Sequence, residues 1–404
     1  MKKILLPFLA LACAMSVVAA GEDKTPQELK FTAIKENPIT PIKNQNRSGT
    51  CWDYATLGYF EGEILKKTGK TYDLCEMFVA NKNYMDEAIY HVRMHGSSRF
   101  SEGGSADDVL WVLANHGICP EEAMPAPGTL TGDSLANFAE FFKVLTPYVE
   151  TIAKSPEDTK LTPQWKVGVQ GILDAYLGKC PEHFTYQGKQ YTPMSFLNSL
   201  QLNLDDYISV TSFTHHPFYS WFNIEAPYKW RQRLSYNVPL DEMMNMIDTA
   251  LDNGYNVCWG GDVSEEGFTR TGLAIAADIE HAPDLTGSDA ARWLKLSNQE
   301  KAESLKKMGA QTPELVPTQE LRQERFDNWE STYDHVMLIY GKAHDQNGRE
   351  YYIVKNSWGK AGEYEGMWYM SKAFIALNTT YVFFNRNAVP GKLNEAYSRI
   401  LINK

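Results

Sequence analysis

Residues 335–341 (HVMLIYG) and 351–355 (YYIVK) are two β-rich runs separated by a short polar segment that contains the pair Asn347-Gly348. Asn-Gly between apolar runs is the strongest short-range signal for a tight antiparallel hairpin. A third run of this kind, TTYVFFN, follows at 379–385. The start of the chain obeys a different period. In residues 52–67 (WDYATLGYFEGEILKK), Trp52, Ala55 and Tyr59 share one helical stripe, and Leu57, Phe60 and Ile64 share the next. A chain that begins with helical periodicity and ends in hairpins predicts an α+β fold of two lobes, with an antiparallel sheet in the second. A cleft between two lobes is a favoured place for chemistry.

Further helices are predicted between these ends. Residues 105–116 carry Ser105 as N-cap, acids in the first turn and Gly117 as a stop. Pro and Gly bound further helical segments at 134–146 and 165–177, and Pro239 and Gly254 bound another at 239–253. Residues 289–309 are charged and helix-prone. With 404 residues the chain exceeds the usual single-domain size. The reading divides it into a leader (1–20), a helical lobe (21–125), a helical insertion (126–205) and a β-rich lobe (206–404) with a helical excursion at about 285–330.

Lys2 and Lys3, the apolar run 4–12 and the small residues ending at Ala20 have the pattern of a secretory signal peptide. Cleavage after Ala20 and export, to the periplasm or the exterior of a bacterium, are expected. A lipoprotein acylated at Cys13 is the minor alternative. No later stretch reaches the ~18 apolar residues of a membrane span, so stable membrane insertion is not expected. The formal charge of −11, with no basic block, argues against nucleic acid as a partner. Loss of the leader removes Cys13 and leaves five cysteines, an odd number that points either to an intermolecular partner or to a free, reactive thiol. Pairing among Cys75, Cys119, Cys180 and Cys258 stays open.

Cys51 is the cysteine placed for reactivity. It follows the polar turn QNRSGT and opens the 52–67 helix, where the helix dipole favours thiolate. The dipole contributes only ~0.3–1 kcal/mol, under one pKa unit, so a strongly acidic thiol needs a cation beside it. Of nine histidines, His335 stands at the mouth of the first hairpin strand, and Asn356 ends the second. An amide oxygen of Asn356 on one imidazole N–H fixes the tautomer, and Trp358 shields that bond. Gln45 and the Cys51 backbone N–H supply donors for an oxyanion. Nucleophile, base, orienter and oxyanion donor together are the parts acyl transfer requires. The adjacent His215 and His216 invite a metal reading. Adjacent side chains diverge, however, and no further ligand cluster is visible, so a structural or surface role is expected, with no metal and no cofactor.

Three motifs in order, Gln45…Gly49-Thr50-Cys51-Trp52, Asp334-His335-Val336-Met337 and Lys355-Asn356-Ser357-Trp358-Gly359, resemble the papain-like cysteine peptidases. The distance from Cys51 to His335 is about twice the ~130–150 residues of the papain and cathepsin branch. It is similar to that of the bleomycin hydrolase / aminopeptidase C branch, which carries a large helical insertion. Residues 103–125, 256–268 and 366–390 resemble the same branch. The resemblance implies a papain-like two-lobed fold with a β-barrel-like second lobe, a Cys51–His335–Asn356 triad with Gln45 at the oxyanion, and peptide substrates. It also implies that Gly103 and Gly104 receive the substrate backbone, beside Trp358. Relatives are hexamers, and their C-terminal arm holds the substrate amine with its carboxylate. Here only about fourteen residues follow Pro390. The resemblance implies an aminopeptidase; the short tail makes an endopeptidase of the same fold the alternative, with an inactive peptide-binding homologue as a further one.

Overall fold

The structure, a computed structural model, describes residues 28–125, 135–155, 160–279, 288–307, 309–389 and 391. The expected leader with Cys13, and the tail beyond Gly391, lie outside the described residues.

The sheet has ten strands. Its order is Trp221–Phe222, Ser235–Asn237, Tyr207–Thr211, Thr379–Asn385, Val257–Gly261, His335–Asp345, Glu350–Lys355, Met367–Ser371 and Leu273–Ala274, and Phe31–Glu36 also pairs with His335–Asp345. The sheet departs from the expected antiparallel, barrel-like lobe in two respects. The sheet is open along this path, running between two-residue strands at either end, so a closed barrel is absent among the described residues. It is also mixed, because Tyr207–Thr211 with Ser235–Asn237, and Met367–Ser371 with Leu273–Ala274, pair in parallel. Strands of two or three residues carry too little alternation to be read from a sequence.

The hairpin at the end of the chain forms as its turn signal predicts. Gly348 takes φ 84, a left-handed conformation that glycine adopts without steric cost. The Asp345 carboxylate accepts from the backbone N–H of Asn347 and of Arg349. Along His335–Asp345, Val336 and Leu338 enter the core that contains the first helices, while Met337 and Ile339 enter the core on the opposite face. Both faces of the strand are covered, which is why the sequence is a continuous apolar run there rather than a clean alternation.

The helix α1 (Cys51–Thr68) lies against His335–Asp345 and Val257–Gly261, and α2 (Glu76–Arg93) and α3 (Ala106–His116) pack on it. Both stripes expected of α1 are buried, as is nearly every residue from Cys51 to Ile64. A helix apolar on two faces belongs in the interior. Ser105 caps α3 in a capping box with Asp108, and Gly117 ends it at φ 75. From the insertion, α4 (Phe141–Lys154) and α5 (Gln164–Leu177) pack onto α2. The α4 helix does not stop at Pro147 as the sequence suggests. Its buried stripe of Phe141, Leu145, Val149 and Ala153 runs through the proline, and tertiary packing outweighs the lost backbone bond. The helix Leu240–Asp252 follows Pro239 as expected, and the charged segment forms two helices, Ser288–Trp293 and Asn298–Lys306.

One buried polar network fixes the chain segment that leads into α1. Lys43 Nζ lies 3.0 Å from Glu61, 2.7 Å from Glu76 and 2.6 Å from Asp73. The fully buried Glu61 also accepts from Thr40 Oγ1 (2.6 Å) and from the Leu74 N–H (2.9 Å). Removing one partner of such a network strands a buried charge and costs ~3–5 kcal/mol. Lys43→Met is expected to lower stability by about 3 kcal/mol in urea unfolding; a loss below about 1 kcal/mol would mean that the network does not anchor the segment.

Candidate active site

The sequence motifs meet in one cleft of about 450 Å³, lined by Gln45, Cys51, Gly103, Gly104, His335 and Trp358 among others. Cys51 is the first residue of α1. It shares the cleft with His335 and Val336, the first two residues of the strand that presents the imidazole.

The hairpin register sets Lys355 opposite Leu338, which brings the open ends of the two strands together. There, His335 Nε2 lies 2.9 Å from Asn356 Oδ1. The same oxygen accepts the Ser357 backbone N–H at 2.8 Å, which fixes it as oxygen rather than nitrogen. His335 Nε2 is therefore the protonated nitrogen, and Nδ1 carries the free lone pair of the neutral ring. Trp358 stands 5.0 Å from the His335 ring at a tilt of 40° and makes an edge contact with Trp368. Asn356 Nδ2 is buried without a partner.

Gln45 is held from both sides. Its Oε1 accepts from Ser357 Oγ at 2.6 Å, and its Nε2 donates to Ser48 O at 2.7 Å. Its backbone N–H donates to Ser357 O at 2.8 Å, and Gly359 N donates to Lys43 O at 3.0 Å, so a short ladder joins the two segments. No sequence signal assigns a role to Ser357. Its hydroxyl ties the Gln45 loop to the hairpin end, a link between distant segments that no local pattern signals.

Three close approaches shape the far wall. A Cβ on Gly49 would stand 2.6 Å from Glu102 Cβ, and the Gly49 N–H donates to the Glu102 carboxylate at 2.6 Å. A Cβ on Gly104 would come within 2.8 Å of the Trp52 indole, and one on Gly103 would run into the Tyr228 ring. Tyr228 is itself held by Arg99, whose Nη2 donates to its hydroxyl at 2.9 Å. The Gly104 carbonyl accepts from Tyr333 OH at 2.5 Å, so it is already engaged, while Gly103 is half-exposed in the cleft. Tyr228, Arg99, Glu102 and Tyr333 were not identified from the sequence. Each reaches the cleft through a tertiary contact alone.

Burial acts on the thiol and the imidazole in opposite senses. It pushes Cys51 up to about 12 and His335 down to about 4. Each shift disfavours the charged form of that residue alone. The thiolate–imidazolium pair expected from the sequence therefore requires the two charges to appear together. All five described cysteines are free thiols, which closes the pairing left open for Cys75, Cys119, Cys180 and Cys258.

The structure corrects one premise about His215 and His216. The adjacent rings do not diverge; both Nε2 atoms reach the carboxylate of Glu225, at 3.1 and 3.0 Å.

The Peptidase C1-like family matches residues 12–308 and 314–403. Aminopeptidase C of Lactobacillus helveticus is 22% identical over 93% of this chain and 88% of its own length. Aminopeptidase E of the same organism is 22% identical over 88% and 83%. Human cathepsin L2 is 33% identical but over only 22% of this chain. Among solved structures, PepW from Lactobacillus rhamnosis HN001 superposes with a TM-score of 0.67 at 19% identity, covering 91% of this chain and 85% of that one, a likeness of fold. The chain belongs to the Peptidase C1-like family and is a papain-like cysteine peptidase of the aminopeptidase C branch.

Proposed function

We propose that the protein is an aminopeptidase that removes N-terminal residues from peptides through Cys51, His335 and Asn356, with Gln45 at the oxyanion. The observation that carries this reading is the meeting of Cys51 and His335 in one cleft, with the His335 ring held by Asn356 Oδ1 at 2.9 Å. In this reading the Cys51 proton moves to His335 Nδ1, since Asn356 occupies Nε2. The thiolate attacks the peptide carbonyl, and the new C–S bond forms as the carbonyl oxygen becomes an oxyanion. The Cys51 backbone N–H and the second Nε2 hydrogen of Gln45 donate to it. The imidazolium gives its proton to the leaving amine, the C–N bond breaks, and an acyl-enzyme remains. His335 then takes a proton from water, whose oxygen displaces the sulfur and releases the acid.

The exopeptidase mode rests on the aminopeptidase relatives. The export expected from the leader places the substrates among peptides outside the cytoplasm.

Cys51→Ala is expected to abolish peptide hydrolysis, with a loss on the order of 10⁴-fold or more. His335→Ala is expected to lower kcat/KM by about 10²–10⁴-fold. Undiminished turnover in either variant would remove the mechanism. Gln45→Ala is expected to lower kcat by about 10²-fold with KM little changed, read from steady-state kinetics. Matched peptides with free and acetylated N-termini test the mode. Cleavage of the free form alone is expected, and equal cleavage of both would establish internal cutting instead.

A further inference from the structure

We propose that His215, His216 and Glu225 form a binding site for a divalent transition-metal cation of the zinc class, separate from the thiol cleft. His215 Nε2 lies 3.1 Å from Glu225 Oε2, and His216 Nε2 lies 3.0 Å from Glu225 Oε1. The three ligand atoms all fall within 4.8 Å of one another. A tetrahedral zinc ion with bonds of ~2.0–2.2 Å separates its ligand atoms by roughly 3.3 Å, so the widest pair must close by about 1.5 Å, shared between the side chains, to admit the ion. Two imidazole nitrogens and one carboxylate oxygen suit zinc, copper or nickel rather than magnesium or calcium, which take oxygen ligands. A water completes the fourth position, and the half-exposed His216 and exposed Glu225 leave a route for entry.

The surroundings hold these ligands as a metal site does. His215 Nδ1 faces the amide of Gln323, with Nε2 at 3.0 Å and Oε1 at 3.3 Å. Gln323 is buried and fixed in turn by the Thr214 N–H (2.6 Å) and by Asp327 (2.9 Å). An oriented partner on the second ring nitrogen is the usual companion of a metal-bound histidine. His215 lies parallel to Phe326, and His216 stacks on Phe222 with centroids 4.1 Å apart. The backbone is anchored on both sides: Arg322 Nε donates to Ser212 O at 2.7 Å, and Asn237 Nδ2 to His216 O at 3.0 Å. Without the ion, each imidazole donates its Nε2–H to Glu225. Binding requires each ring to move that proton to Nδ1, and for His215 the Gln323 Oε1 is placed to accept it. The ion then takes both Nε2 lone pairs and a carboxylate oxygen.

The test uses the full chain with Cys51→Ala, which removes the cleft thiol as a competing ligand. Zn²⁺ binding is measured by calorimetry and Co²⁺ binding by its visible ligand-field bands. One cation per chain is expected, and His216→Ala or Glu225→Gln in the same background should weaken it by at least about 100-fold, more than the ~10–100-fold typical of outer partners. Glu225→Gln preserves shape, so it decides the matter even where His216→Ala fails to fold. Absence of one-to-one binding in the parent, or affinity unchanged in Glu225→Gln, would overturn the proposal.

Discussion

The packing of α1 against the strand that begins at His335 is the contact on which the cleft depends. Each element is buried on two sides, so neither can slide or rotate without exposing apolar surface. The first residue of the helix carries the sulfur, and the first residue of the strand carries the imidazole. Two secondary-structure ends thereby set a distance that no loop has to hold. The hairpin turn, more than ten residues away, adds the third part, because antiparallel pairing returns the chain to Asn356 beside His335. The Lys43 network and the Ser357–Gln45 bond then fasten the preceding loop to this frame.

Burial gives the site its electrostatic character. A lone thiolate or a lone imidazolium is disfavoured here, as the opposed shifts of Cys51 and His335 record. One proton passing from sulfur to nitrogen creates both charges without changing the net charge. Their attraction grows as the local dielectric falls, so the environment that penalises each ion alone strengthens the pair. Titration then belongs to the pair rather than to either residue. Asn356 contributes by occupying Nε2, which leaves Nδ1 as the exchanging nitrogen.

Much of this frame was legible in the sequence because it rests on local signals. The Asn347-Gly348 turn, the Ser105 cap, the Gly117 stop and the two stripes of α1 each carry their own physical cause. The residue types at Cys51, His335, Asn356 and Gln45 stood out because acyl transfer demands those groups. What escaped was tertiary. Pro147 looked like a helix end because the apolar face that carries α4 past it lies against other helices. The openness of the sheet depends on strands of two or three residues that no period marks. Ser357 and Tyr228 acquire their roles from segments far away in the chain, and the convergence of His215 and His216 on Glu225 depends on how two loops meet.

The most direct test of the shared proton is the pH dependence of Cys51 alkylation by iodoacetamide, in the intact protein and in His335→Ala. The pairing predicts that the intact protein reacts well below the ~8.5 of an ordinary cysteine. In the variant burial alone remains, and it holds the thiol near 12, so reaction should appear only in strong alkali. Superimposable profiles in the two proteins, both rising only at high pH, would contradict the account.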